Sequence, residues 1–220
     1  MKEVTGGVLA ELASGPLADL APLRVFRRGE ILGRQGEPCE HLHILARGQV
    51  LLCRTSPNGA DNALYLLGPG DLFAEGSLQQ SRRWLVTARA VTSGLVHTLP
   101  AVHLPRLAQY YPQVTSHLVA LLSVRLEWAH QRLDLITALG ARERLLSLLR
   151  LLAKVHGTPA GSGYQMTLSL TQAEIGSMVG LARETVVRCL AEMEECGLVR
   201  RQGRHGFWVA SAQPDPLRRG

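Results

Sequence analysis

Cysteine is scarce and scattered. The four in this chain of 220 residues, Cys39, Cys53, Cys189 and Cys196, include no Cys-x-x-Cys pair. That pattern excludes a disulfide scaffold and a zinc finger and points to a reducing cytoplasm. No apolar run approaches the roughly 18–20 residues of a membrane helix. The first 20 residues carry Glu3, Glu11 and Asp19 and do not read as a secretory signal. Charged residues make up 19% and hydrophobic residues 46%, ordinary globular values that exclude disordered and fibrous classes. Lysine is nearly missing. Of 24 basic residues, only Lys2 and Lys154 are lysine; the other 22 are arginine, whose planar fork suits phosphates and base edges.

What is present is a positive excess of +6, unevenly spread. Up to Leu139 there are 13 basic against 11 acidic residues; beyond it there are 11 against 7. The C-terminal third carries most of the imbalance, as a polyanion-binding module would.

From about residue 23 to 100 short apolar runs recur with glycine or proline between them. They are Leu23–Phe26, Glu30–Leu32, His41–Leu45, Val50–Cys53, Ala63–Leu67, Leu85–Ala90 and Leu95–Leu99. Turn residues separate them at Arg28-Gly29, Gln35-Gly36, Arg47-Gly48, Asn58-Gly59 and Gly68-Pro69-Gly70. Regular short strands with glycine turns predict a barrel or jelly roll. Residues 8–20 are expected to form a short helix on its outside.

Pro112 suits a first helical turn, and neither glycine nor proline follows until Gly140. Val119, Leu122, Leu126, Ala129, Leu133 and Ile136 are spaced 3, 4, 3, 4, 3. That seam is narrower than an ordinary core stripe and fits a coiled-coil dimer helix; the bland alternative is a long helix packed on its own barrel. Arg125, Glu127, Gln131, Arg132 and Asp134 lie off the seam. A hinge is expected at Leu139-Gly140-Ala141, a helix over about 142–155, a mobile breaker-rich loop over 156–163, and a strand over 164–170.

Thr171 with Glu174 three residues later forms a capping box that starts a helix. Gly180 permits a tight turn, and a second helix is expected over about 183–195. This is the helix-turn-helix plan. At about 100° per residue, with Arg183 at zero, Glu184 lies near 100° and Arg188 near 140°. Val186, Leu190 and Met193 fall at about 280–340° on the same wheel. The apolar stripe points inward, and Arg183, Glu184 and Arg188 share another face. Arginine pairs with guanine O6/N7 and glutamate accepts from cytosine N4, so the face suits major-groove reading. A solvated charged face is the alternative. Beyond it, Leu198–Arg201 and Phe207–Ala210 read as a hairpin whose Arg200, Arg201 and Arg204 suit phosphates.

The segment GSMVGLARETVVRCLAEMEECGLV resembles the helix-turn-helix of the Crp/Fnr family of bacterial transcription regulators, most closely in Arg183-Glu184-Thr185-Val186-Val187-Arg188. The resemblance covers about residues 20–210. It implies an α+β chain with a cyclic-nucleotide-binding-type β-roll (1–111), a long dimerisation helix (112–139) and a C-terminal winged helix-turn-helix (140–220). It also implies a homodimer in the bacterial cytoplasm, associated with the nucleoid. That dimer would act on a palindromic TGTGA-like site and, as an activator, on RNA polymerase. Thr171, Arg183, Glu184, Thr185, Arg188, Arg200, Arg201 and Arg204 would be the DNA-binding residues. Ala182 departs from the family's usual serine or threonine N-cap.

In nucleotide-binding members a Gly-Glu pair holds the ribose and an Arg-Ser or Arg-Thr pair the cyclic phosphate. Here Glu75 matches, but Ala74 replaces the glycine and Trp84-Leu85 stand where Arg-Ser should be. Arg82 or Arg83 remains to supply a guanidinium. Ala129-His130 replace the Thr-Ser pair that meets adenine. Glu75, Arg82, Arg83 and His130 are therefore the residues of a candidate pocket. The expectation is control without any cofactor or by an unidentified effector, with cAMP control as the alternative. An iron–sulfur sensor is not expected, since no cysteine precedes Cys39. Cys39, His41 and His43 alternate as if on one strand face, and His-x-His is also a feature of cupin metal enzymes. The expected carboxylate and second histidine motif are missing, and no metal site or catalytic residue is expected. A metal-binding β-roll enzyme and a nucleotide-binding subunit without DNA function are the rival classes.

Overall fold

The computed structural model of the chain describes residues 11, 15, 18–56, 61–138, 140–203 and 205–211, with the side chains of 134–138 left aside. Of the expected helix over 8–20, residues 11, 15 and 18–20 are described, Glu11 as helix and Ala18–Leu20 as a turn, and the rest lies outside the described residues, as does the Asn58-Gly59 turn. The chain divides into two compact units, one up to Trp128 and one from Ala129 on. Among the described residues no helix is long and apolar enough to cross a membrane.

The first unit contains β1 (Leu23–Phe26), β2 (Ile31–Gly33), β3 (His41–Arg47), β4 (Val50–Thr55), β5 (Asp61–Leu67), β6 (Leu72–Phe73), β7 (Thr87–Ala90) and β8 (Gly94–Pro100). They form two four-stranded sheets, ordered β1-β8-β3-β6 and β2-β7-β4-β5, with every pairing antiparallel. This is the expected roll. Its interior holds Phe26, Leu45, Val50, Leu52, Phe73 and Trp84, all buried. Strand β3 is covered on both faces. Leu42 and Ile44 face a second cluster built with Leu107, Val114 and Leu121 of α1 (Leu104–Tyr110) and α2 (Gln113–Ala138), while Leu45 faces the interior.

Three elements differ from expectation. Helix α1 was not foreseen; Pro105 sits in its first turn, where the missing N–H is not needed. The expected strand from Leu85 begins only at Thr87. Trp84 instead bonds through its backbone to Glu37 O (2.9 Å) and Gly36 N (2.8 Å), which leaves Leu85 45% exposed. Strand β6 has two residues, too short for any periodicity to show.

His43 lies in the roll interior, its ring against those of Phe73 (5.1 Å) and Trp84 (5.6 Å), its Nδ1 3.4 Å from Thr98 Oγ1. Burial, then His41 and Arg24, pushes it from 6.5 to about 4. Between those values the unfolded chain takes a proton that the folded chain refuses. Acidification from about pH 6.5 to about 4 is therefore expected to cost up to about 3 kcal/mol. Thermal melting across that range reads this loss. His43→Phe should flatten the slope; an unchanged slope would assign the acid sensitivity elsewhere.

In the second unit, α3 (Ala141–His156) buries Leu145, Leu146, Leu148, Leu149 and Leu152. The expected mobile loop over 156–163 is instead the start of a sheet. β9 (Thr158–Ala160) and β10 (Gly163–Thr167) pair as a hairpin, and the sheet continues β11 (Val199–Gln202)-β12 (Gly206–Ala210)-β10-β9. The breakers mark a hairpin turn, with Gly161 at φ +60.

Candidate nucleic-acid interface

The site rests on two short helices, α4 (Gln172–Ser177) and α5 (Arg183–Glu195). The capping box is present. Thr171 Oγ1 accepts from Glu174 N (3.2 Å), and Glu174 accepts from Thr171 N (2.6 Å). Two glycines shape the turn. Gly180 has φ +66, and Leu181 N closes back onto Gly176 O at 2.9 Å. A Cβ at Gly176 would lie 2.4 Å from Leu181 O and 2.9 Å from Val186 Cγ2, so only glycine lets the helices approach this closely.

Helix α5 buries Val186, Cys189, Leu190 and Met193 and exposes Arg183, Glu184 and Arg188; Thr185 is half-buried. Three candidate readers therefore share a solvent face. Ala182, in extended conformation, gives α5 no side-chain cap.

In the wing, the arginines have different partners. The Arg200 guanidinium lies 4.9 Å above the Trp208 ring, and Trp208 Nε1 donates to Ala160 O (2.9 Å). Arg201 grips Glu194 of α5 with Nε (2.9 Å) and Nη2 (2.5 Å), and its backbone N–H donates to the same carboxylate. That bond holds the Glu194 carboxyl below its ordinary range. Arg201 thus ties the β11–β12 hairpin to α5 within the fold. Arg204 lies outside the described residues.

Three arginines not foreseen as functional also reach this motif. Arg132 Nη2 of α2 donates to Ser177 O (3.2 Å), Arg144 Nη1 of α3 to Val179 O (3.3 Å), and Arg142 Nη2 to Cys196 Sγ (3.2 Å). No sequence signal marks them, because their partners lie 35–54 residues away and two of those are backbone carbonyls.

On α2 the seam positions Val119, Leu122, Leu126 and Leu133 are 59%, 49%, 58% and 62% exposed; Ala129 is half-buried. The side chain of Ile136 lies outside the described residues.

Of the candidate pocket residues, Glu75 and Arg83 have partners of their own within the roll unit. Glu75 opens a 3-10 turn after Ala74, which keeps a left-handed φ of 70 without being glycine. The buried Glu75 Oε1 is ion-paired with Arg125 of α2. Arg125 also donates to Leu72 O and lies 5.9 Å from the Tyr65 ring centroid. Burial pushes this guanidinium down to about 10, still cationic at neutral pH. Arg83 Nη1 donates to Gly36 O (2.7 Å); Arg82 is exposed at φ 43. His130 is exposed on α2. Cys39 Sγ donates to Ala74 O (3.6 Å) and lies outside β3, so it does not share a strand with His41 and His43. Among the described residues no group of three His, Cys, Asp or Glu is placed to hold a metal.

Residues 23–111 match the cyclic nucleotide-binding domain, and residues 143–218 match the Crp-like helix-turn-helix domain. The chain is 34% identical over 178 residues to the cyclic AMP receptor protein of Thermus thermophilus, covering 80% of this chain and 79% of that protein. It is 30% identical over 179 residues to the CRP-like cAMP-activated global transcriptional regulator of Mycobacterium tuberculosis, covering 81% and 80%. In fold it is similar to a CooA variant from Carboxydothermus hydrogenoformans, with a TM-score of 0.78 at 17% identity over 93% of this chain and 92% of that one.

Proposed function

Because the chain belongs to the Crp/Fnr family and is a DNA-binding transcription regulator, we propose that it works as a homodimer that reads a palindromic TGTGA-like site without needing cAMP. The observation that carries this reading is the face of α5. Arg183, Glu184 and Arg188 are exposed there, opposite a stripe that is fully buried. Two copies of that face enter successive major grooves, about 34 Å apart, only when a dimer fixes their distance. The exposed seam Val119, Leu122, Leu126 and Leu133, with Ala129 and Ile136, is the surface that does so. Thr171, Thr185 and Arg200 add backbone contacts, and Arg204 extends them from the wing tip. Arg201 contributes through Glu194, by bracing the wing.

Ligand independence is supported by Glu75. In this chain the carboxylate that would take a ribose is neutralised by Arg125 from the chain itself. Trp84, near where the phosphate-binding pair would stand, is buried beside His43 and Phe73 and offers no anion site. Arg82, Arg83 and His130 then remain surface residues. The two relatives are named for cAMP, so cAMP control is the second reading. The protein acts in the cytoplasm on the nucleoid, as an activator that touches RNA polymerase, and is not an enzyme; the metal-enzyme reading has no support in the family matches.

Selection of sites from random DNA, followed by operator titration with and without cAMP, tests this. One affinity in both titrations, and no heat on mixing protein with cAMP, is the expected result. Tight cAMP binding that raises operator affinity would replace it with the cAMP-dependent reading.

A further inference from the structure

The joint between α2 and α3 is a single extended residue among those described, Gly140 (φ −67, ψ 166). One such residue would let the following domain swing about its own backbone. Arg132 lies on α2, before the joint, and Arg144 on α3, after it. Their guanidiniums converge on two carbonyls only two residues apart, Ser177 O at the end of α4 and Val179 O in the turn. Ser177 O stands at the C-terminal end of α4, where cationic donors are favoured, and Val179 O follows it in the turn. Two helices and one shared turn close a triangle, and a closed triangle resists bending where a joint alone does not.

We propose that Arg132 and Arg144 are positioning residues for DNA reading, which brace the Gly140 joint so that α5 keeps a fixed angle to the dimer helix. This rests on the dimeric-reader function above. Arg144 leaves its Nε buried and unpartnered, a costly arrangement for a guanidinium. The bond from its Nη1 to Val179 O offsets it. Arg142, bonded to Cys196 Sγ at the far end of α5, braces the same helix from its C-terminus. The arginines touch no base; they fix the separation at which two copies of α5 meet the duplex.

The test uses the full-length protein and three duplexes: the selected palindrome, the same palindrome with its centre lengthened by one base pair, and a single half-site. Wild type should bind the lengthened site at least about tenfold more weakly, since avidity vanishes when geometry forbids both engagements. Arg132→Gln and Arg144→Gln should keep dimer mass and half-site affinity. They should bind the palindrome about tenfold more weakly and bring the two palindromes within about threefold of each other. Arg132→Lys, which keeps one donor, should restore most of the discrimination. Full wild-type discrimination in both Gln variants overturns the proposal. So does a parallel loss on palindrome and half-site, which marks a merely structural role. If a Gln variant is unfolded in the assay, Arg132→Met and Arg144→Met, which keep the apolar stem, replace it with the same expectations. Unfolding of all four variants also overturns it. Wild type that binds all three duplexes equally would sink the dimeric reading itself.

Discussion

Leu126→Arg combined with Leu133→Arg is expected to turn the dimer into a monomer and to lower operator affinity by about 10²–10⁴-fold. Both side chains are more than half exposed in the single chain, so neither supports its own fold. Covering the open half of each seam aliphatic stabilises a dimer by about 1 kcal/mol per side chain. An arginine buried there without a partner reverses that and adds several kcal/mol of desolvation cost. Sedimentation should show the mass halve while helix content by circular dichroism stays constant. Binding to a half-site should change little, because the reading helix is intact. A dimer that survives both substitutions would show that the apolar row does not join the two copies.

The second large effect is at the reading face. Arg183→Ala and Arg188→Ala should each cost about 1–3 kcal/mol on the specific site, or roughly 5- to 150-fold. Affinity for random-sequence DNA should fall far less, since that binding depends on phosphates and not on base edges. Competition between selected and random duplexes at one fixed salt concentration reads the difference. Both side chains are exposed, so melting temperature should stay near wild type. If both variants weaken the two DNAs equally, these arginines bind phosphates and specificity lies elsewhere on α5. Arg200→Ala is the contrasting control: if Arg200 contacts phosphate as proposed, its removal is expected to lower the salt dependence without relaxing sequence preference.

Much of this architecture is legible in the amino-acid order because it is written in local chemistry. Thr171 and Glu174 form their reciprocal cap across three residues, and Gly180 takes the positive φ its position requires. Val186, Leu190 and Met193 repeat at helical spacing and are buried. The 3-4 row of α2 is legible for the same reason. What was not legible is long-range. Nothing near Glu75 announces Arg125, fifty residues later on a different element. Arg125 and Arg132 read only as residues off the seam, and it is the packed helix that brings each to its partner. The loop over 156–163 misled because glycine and proline mark a tight hairpin as readily as a mobile segment. Trp84 misled differently, because a residue expected on a binding loop fills the roll interior instead.

The brace across Gly140 is asymmetric in what it demands of the chain. Its acceptors, Ser177 O and Val179 O, are main-chain carbonyls, which every amino acid supplies. The brace itself therefore places no demand on the side chains at 177 and 179, although Val179 is held by its burial in the core. The donors have less latitude, because only a long side chain ending in a cationic N–H donor spans the gap. Drift in a lineage of such regulators would be resisted at 132 and 144 by the brace itself, whereas at 179 it is the buried valine side chain, not the brace, that limits change.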